Sequence, residues 1–237
     1  MKANPDPCSS AGILRVSRTK SQAKVFYNRI SRVYDLLADR NEGPIRNAAL
    51  DLLKALPGER VLEIGFGTGH VLLALAGAVG PTGKVLGIDL SDRMVKRSQR
   101  DLSAAGLLER CELRCCDASE LPYAAESLDA VFMSFTLELF DTPEIPEVLS
   151  ECRRALKPGG RMVVAGVSKE EPGNFWLRIF EWMHVHMPRF VDCRPIYVRR
   201  ALEAAGFQVR ASLRMSMWIP VEIVLGAKPG LGACVSP

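Results

Sequence analysis

The segment Glu63-Ile64-Gly65-Phe66-Gly67-Thr68-Gly69 sets one carboxylate and three glycines between a strand-like run, RVLEI, and the helical pattern HVLLALAGAV. Glycines at 65 and 67 permit a sharp turn and close approach of a ligand to the backbone, and Gly69 permits a tight start to the helix. The helix amino end then offers N–H groups that have no partner within the helix. The spacing is GxGxG, with His70 where a nicotinamide-binding GxGxxG would place its last glycine. No GK[ST] follows, so a nucleoside-triphosphate loop fits less well still.

Asp89 closes the next strand-like run, KVLGID, 24 residues after Gly65. A carboxylate there can accept both hydroxyl protons of a ribose; capping the helix that starts near Ser91 is the structural alternative. Asp117, in CCDASELP, can read an adenine amino edge together with neighbouring N–H groups, or cap a short turn. Glu63 discriminates by sign. A negative charge before the glycines repels a pyrophosphate but suits an ammonium or a sulfonium. That favours S-adenosylmethionine over NAD. The expected cofactor set is Glu63, Gly65, Phe66, Gly67, Gly69, Asp89, Leu90, Asp117, Ala118 and Ser134.

A sulfonium is an activated methyl donor, so the protein's main tasks are alignment of an acceptor and exclusion of water. Where an acceptor must lose a proton, His184 or His186 can take it, and the two-residue separation lets at most one face a pocket. Glu138, after the fourth strand-like run, is expected at the rim where an acceptor arrives, to attract a cationic amine, orient a hydroxyl or act as a base. Tyr27 and Tyr34 lie seven residues apart on one expected helix face, and Trp176 and Trp182 can wall an apolar chamber. Packing is the structural alternative for all four. No metal is required by this chemistry, and three histidines offer no zinc-like spacing.

These residues need a frame. Two helices are expected first, the second over 44–55, where a proline suits a first turn. From Arg60 short strand-like runs alternate with helical ones: RVLEIG, KVLGID, CELRCCD, SLDAVFMSF and RMVVAGV, then FQVRASLRM and MWIPVEIVLGAK after a last helix. The pattern predicts an α/β fold with a doubly wound, seven-stranded, mostly parallel Rossmann-like sheet, ligand-binding at its carboxyl edge, and an antiparallel carboxy-terminal edge. Residues 1–56 form an expected helical lid, 57–237 the core, and the insert 172–194 a substrate lid. Cys111, Cys115 and Cys116 are expected in a buried strand as reduced thiols.

The 237 residues, 48% apolar and 24% charged, describe a folded chain of ordinary composition. The net charge of +4 comes without a cysteine-histidine finger or an aromatic-basic RNA motif, so nucleic acid is not expected. The chain has no apolar run of spanning length, and its polar opening lacks a secretion signal's apolar middle, which favours the cytoplasm. The insert LRIFEWMHVHMPRF nonetheless mixes large apolar groups with arginine and histidine, which suits an amphiphilic acceptor and contact with a membrane surface.

The motifs VFYNRISRVYD, VLEIGFGTGH, VLGIDLS, DASELPY, LDAVFMSF and LKPGG together resemble those of the class I S-adenosylmethionine-dependent methyltransferases. Within that class the opening and the DA..LP segment are similar to the ubiquinone/menaquinone C-methyltransferase (UbiE-like) group. The resemblance implies that Glu63 meets the methionine end, Asp89 the ribose, and Asp117 with Ala118 the adenine. It implies methyl transfer to a small or amphiphilic acceptor, an aromatic or quinone-like C- or O-acceptor first. An amine or phospholipid N-acceptor, or a noncatalytic S-adenosylmethionine-binding scaffold, are the alternatives. Where the quinone group carries an arginine-asparagine pair after its fourth strand, this chain reads SFTLELFDTP.

Overall fold

Strands apolar at nearly every position can be buried only in a sheet covered on both faces. The computed structural model describes residues 13–16, 19–30, 34–170, 175–186 and 193–230, without the side chains of residues 27, 29, 30 and 34–41. It contains such a sheet. Parallel strands β1 (Arg60–Ile64), β2 (Lys84–Asp89), β3 (Cys111–Cys115), β4 (Leu128–Ser134) and β5 (Leu156–Val167) are joined by β6 (Gln208–Ser216) and β7 (Pro220–Ala227). The order is β3-β2-β1-β4-β5-β7-β6, with β7 antiparallel to both of its neighbours. This is the doubly wound, mostly parallel architecture expected from the alternation.

Side chains alternate across the sheet and feed a core on each face. Leu62, Ile64, Leu86, Ile88, Val131 and Met133 pack on one side with α5 (Glu144–Ala155) and α7 (Val198–Ala204). Val61, Val85, Ala130, Phe132, Val163 and Ala165 pack on the other. There they meet α2 (Tyr34–Leu53), α3 (His70–Ala78) and α4 (Asp92–Ala104). The direction of winding reverses between β1 and β4, and this switch point opens a crevice at their carboxyl ends.

Three local expectations are corrected. The second helix starts at Tyr34 rather than at Pro44, which it carries on an exposed face in its interior. An interior proline costs roughly 3 kcal/mol. The buried stripe Ile45, Ala49 and Leu53 packed against the sheet offsets it. Arg161 then ties the helix end to β5, donating to the carbonyls of Leu53 (2.6 Å) and Lys54 (2.8 Å) and pairing with Glu59. Tyr27 and Tyr34 fall on separate helices, α1 (Lys20–Ile30) and α2, so they do not share a single helix face; their side chains lie outside the described residues. The cysteine-bearing strand β3 is the edge of the sheet, so Cys115 is exposed and Cys111 and Cys116 only half-buried.

Candidate functional site

The carboxyl ends of β1 and β4 open into a cavity of about 420 Å³. Its floor is the loop 65–69, where Gly65, Gly67 and Gly69 all adopt positive φ. Gly65 is sterically required: a Cβ there would sit 2.4 Å from the Thr136 side chain, at φ 71°. Gly67 differs, since nothing lies within 4 Å of where its Cβ would be. It faces the cavity itself.

Asp89 clamps this loop. Its Oδ2 accepts from the Gly67 N–H at 2.9 Å and its Oδ1 from the Ser91 N–H at 2.8 Å. Each oxygen retains a lone pair for a ligand hydroxyl. Burial pushes the carboxyl up to about 6, against the lowering effect of those two N–H bonds. Glu63 is buried more deeply, at 4% exposure, and its Oε2 has no hydrogen-bond partner among the described residues. Burial, with the Asp89 charge adding to it, holds the Glu63 carboxyl well above the usual range, and Arg46 opposes the shift. A buried carboxylate with an unsatisfied oxygen is costly by several kcal/mol, so the arrangement suits a cationic hydrogen-bond donor in the cavity.

Other expected cofactor residues divide by position. Phe66, Leu90, Ala118 and Ser134 line the cavity with Glu63, Gly65, Gly67 and Asp89. Gly69 lies just behind it, with the space for a Cβ filled by Ser98 at 2.6 Å. Asp117 also stands outside the lining, although Cys116 and Ala118 on either side belong to it. Its carboxylate accepts from the Ser119 N–H and pairs with Lys20 at 2.5 Å. Burial pushes the Asp117 carboxyl up, but those partners prevail and hold it below its ordinary value.

Lys20 belongs to a cover over the open side, where Val16, Thr19, Lys20 and Ala23 line the cavity. Lys20 also pairs with Glu144 at 2.9 Å. Arg15 grips Asp141 through Nε and Nη2 at 2.6–2.9 Å, and this contact, with the Val16 and Thr142 N–H groups, draws the Asp141 carboxyl down to about 2. Further along α1, Lys24 pairs with Asp92 at 2.8 Å, and Asn28 accepts from the Ser91 hydroxyl at 2.6 Å. Cofactor floor and cover thus meet at Ser91.

The expected acceptor residues are not brought together here. Glu138 is fully buried in the turn Leu137–Leu139 instead of standing at the rim. That turn points its side chain inward, where Oε1 accepts from the Val167 N–H at 3.2 Å and Oε2 lies against Gly166. Burial raises its carboxyl to about 7. The Arg194 guanidinium, also fully buried, donates to the Glu138 carbonyl at 2.6 Å. On α6 (Phe175–His186), His184 faces the protein, 3.4 Å from the Arg15 carbonyl, and His186 is exposed and stacked on Trp182. Trp176 and Trp182 are 54% and 55% exposed rather than walls of the cavity. In their place the cavity is walled by Phe135, Thr136, Leu139, Phe140 and Pro143, with Glu42, Arg46 and His70 as polar groups. Sequence reasoning missed Lys20 and Arg46 because a helix charge bound for a cavity looks like one bound for solvent. The spacing of Glu42 and Arg46 at i,i+4, just before the glycine strand, was the available signal.

A family model for a methyltransferase domain matches residues 61–160. Among curated proteins, the chain is 32% identical to a demethylmenaquinone methyltransferase of Symbiobacterium thermophilum over 162 residues, 64% of each chain. It is 31% identical to one of Desulfitobacterium hafniense over 231 residues, 86% of this chain and 88% of that one. It is also 33% identical to the nocamycin O-methyltransferase of Saccharothrix syringae over 142 residues, 60% of this chain and half of that one. Among solved structures, the [4+2]-cyclase SpnF superposes with a TM-score of 0.74 at 19% identity, covering 92% of this chain and 99% of that one. A geranyl diphosphate methyltransferase superposes with a TM-score of 0.65 at 16% identity, over 80% of this chain and 86% of that one. These two share the fold.

Proposed function

Because the chain belongs to the class I S-adenosylmethionine-dependent methyltransferases, we propose that it transfers a methyl group from that cofactor to a small or amphiphilic acceptor. The observation that carries this reading is the buried Glu63 carboxylate, whose Oε2 has no partner among the described residues although its side chain lines the cavity. An amino-acid ammonium satisfies it; a pyrophosphate would be repelled. Arg46, close enough to Glu63 to act on its ionisation, supplies the cation for a carboxylate at the same end. Asp89 holds the ribose hydroxyls, and Leu90, Met94 and Ala118 offer apolar surface to the base. With Asp117 engaged by Lys20, the adenine end relies on Ala118 and its surroundings more than on that carboxylate.

When bound, S-adenosylmethionine supplies a methyl carbon already activated by the sulfonium. The chain's own work is to orient and to exclude water. Phe135, Leu139, Phe140 and Pro143 give the acceptor an apolar wall, and the cover from Val16 to Ala23 closes the mouth. This wall supports an aromatic or quinone-like C- or O-acceptor over an amine, since Glu138, the carboxylate expected to attract a cation, lies behind it. Of the described residues that line the cavity, His70 is the histidine placed to assist a proton transfer. The fold is also compatible with other reactions, as the likeness to a [4+2]-cyclase shows, so turnover has to be measured. The test is transfer of an isotope-labelled methyl group from S-adenosylmethionine into small molecules of a cell extract, with the product located by mass spectrometry. Labelled product that depends on Asp89 supports methyl transfer. Cofactor binding with no labelled product in any extract supports the scaffold alternative.

A further inference from the structure

Helix α6 turns apolar groups outward. Leu177, Phe180 and His184 face the protein, where Leu177 and Phe180 pack with Val167 and Ile219 at the carboxyl end of β5. The opposite face carries Phe175 (67% exposed), Trp182 (55%) and Val185 (55%), with Trp176 beside them. Trp218 (46% exposed), in the turn between β6 and β7, packs edge-on against the inner-face Phe180 at 5.5 Å and so leaves a second exposed indole at the border of the helix. Isolated exposed apolar residues are ordinary, but several large ones grouped on a single helix mark an interaction surface.

The charges around it choose the partner. Arg178 and His186 are exposed on this same face of the helix. The neighbouring acids are neutralised, Glu181 by Lys169 at 2.5 Å and Glu170 by Arg200 at 3.0 Å. An aromatic face carrying the Arg178 guanidinium, with the neighbouring acids paired, complements an anionic lipid surface, where indole rings settle at the headgroup level and basic side chains meet phosphates. A second copy fits less well, because an apolar contact on this face would take the Arg178 charge out of water without an acid to pair it. Among the described residues no helix is long and apolar enough to cross a membrane, so the contact is peripheral. We infer that α6 and the β6–β7 turn dock on the surface of an anionic lipid bilayer.

The placement has a consequence for the cavity. Phe135 lines it and also packs against the apolar cluster under α6, so that cluster links the inner face of the docking helix to the acceptor wall. An acceptor carried in the bilayer would enter from that side; this part rests on the methyl-transfer reading, whereas docking rests on the helix face alone.

The experiment is cosedimentation of the full chain, without cofactor, with phosphatidylcholine vesicles containing or lacking phosphatidylglycerol, with tryptophan emission recorded in parallel. The expected result is partition onto the phosphatidylglycerol vesicles with a blue shift, and weaker partition at high salt or on phosphatidylcholine alone. Trp182→Asp and Val185→Asp should each weaken partition about tenfold or more. Arg178→Glu should abolish the preference for anionic lipid. Unchanged S-adenosylmethionine affinity in these variants shows that they are folded, and its loss in the wild type would defeat the methyl-transfer reading without touching this one. Absence of partition at any lipid concentration, or equal partition of wild type and both aspartate variants, overturns docking. So does a dimer in sedimentation velocity that Trp182→Asp dissociates while vesicles fail to bind, because the face would then belong to a second copy.

Discussion

The two sides of the cavity are built differently. On the floor, backbone geometry does the positioning: Gly65 donates to the Ile88 carbonyl at 2.8 Å, Gly67 donates to Asp89, and both contacts join adjacent strands of one sheet. On the cover, positioning comes from side-chain ion pairs between segments far apart in sequence, as in Arg15 with Asp141 and Lys20 with Glu144. The first kind of site is preorganised and insensitive to salt. The second is made of exposed or partly exposed pairs, weakened by solvent and screened by salt, and it can open. Rigid floor and releasable cover suit a cavity that must hold a cofactor closely and still exchange it.

Breaking the floor should have the largest effect. Gly65→Val introduces a side chain 2.4 Å from Thr136 at a positive φ, so it should cost at least about 2 kcal/mol of stability and abolish cofactor binding. Thermal unfolding and calorimetric titration check both. A variant with wild-type Tm and affinity would mean that the loop is not the floor.

Asp89→Ala comes next, with an expected loss of about 2–4 kcal/mol in S-adenosylmethionine binding. Because Asp89 also accepts the Gly67 and Ser91 N–H groups, it should lose stability too, which the sequence alone did not suggest. Its pH behaviour sharpens the point. The folded carboxyl titrates near 6, above its unfolded value, so its contribution to the stability of the free protein is complete below about pH 4 and is lost as pH rises through 6. Cofactor binding uses the ionised form and should tighten across the same interval. Affinities and unfolding curves at pH 5, 6 and 7.5 should therefore move in opposite directions; parallel changes would contradict the assignment.

Breaking the cover should do less. Lys20→Ala removes pairs with both Asp117 and Glu144, and should speed cofactor dissociation by roughly three- to tenfold while changing Tm little. In stopped-flow measurements, added salt should accelerate release in the wild type and do so less steeply in the variant, which keeps the Arg15–Asp141 and Lys24–Asp92 pairs. Equal salt dependence in the two proteins would show that the cover is not held by these charges.

The smallest effect on chemistry is expected at Glu138. Its burial behind the cavity wall predicts that Glu138→Gln shifts the unfolding curve but leaves kcat/KM within about twofold. A much larger loss of turnover in the folded variant would return Glu138 to the acceptor side.

The floor was legible because its chemistry is local. One strand, one glycine turn and one helix carry Glu63 and Gly65 to Gly69, and the alternation of apolar runs implies the parallel sheet that places Asp89 beside them. A helical lid was expected from residues 1–56, but the ion pairs of the cover were not legible, since nothing in the charges of Arg15 or Lys20 distinguishes a cavity from solvent. Long-range packing also overruled local rules: the stripe Ile45, Ala49 and Leu53 carries a helix through Pro44, and the sheet order makes β3 an edge, exposing Cys115. Glu138 followed its strand as expected but was turned inward by a short helical turn that its sequence, LEL, does not announce.

The most direct measurement is a calorimetric titration of wild type and Glu63→Gln with S-adenosylmethionine, beside NAD, at pH 7.5. Glutamine keeps the shape of the side chain but removes the charge proposed to meet the ammonium. The wild type should bind S-adenosylmethionine and not NAD, and Glu63→Gln should bind it about ten- to a hundredfold more weakly with an unfolding curve no less stable than wild type. Equal affinity of the two proteins for S-adenosylmethionine, or preferential binding of NAD, would contradict the account.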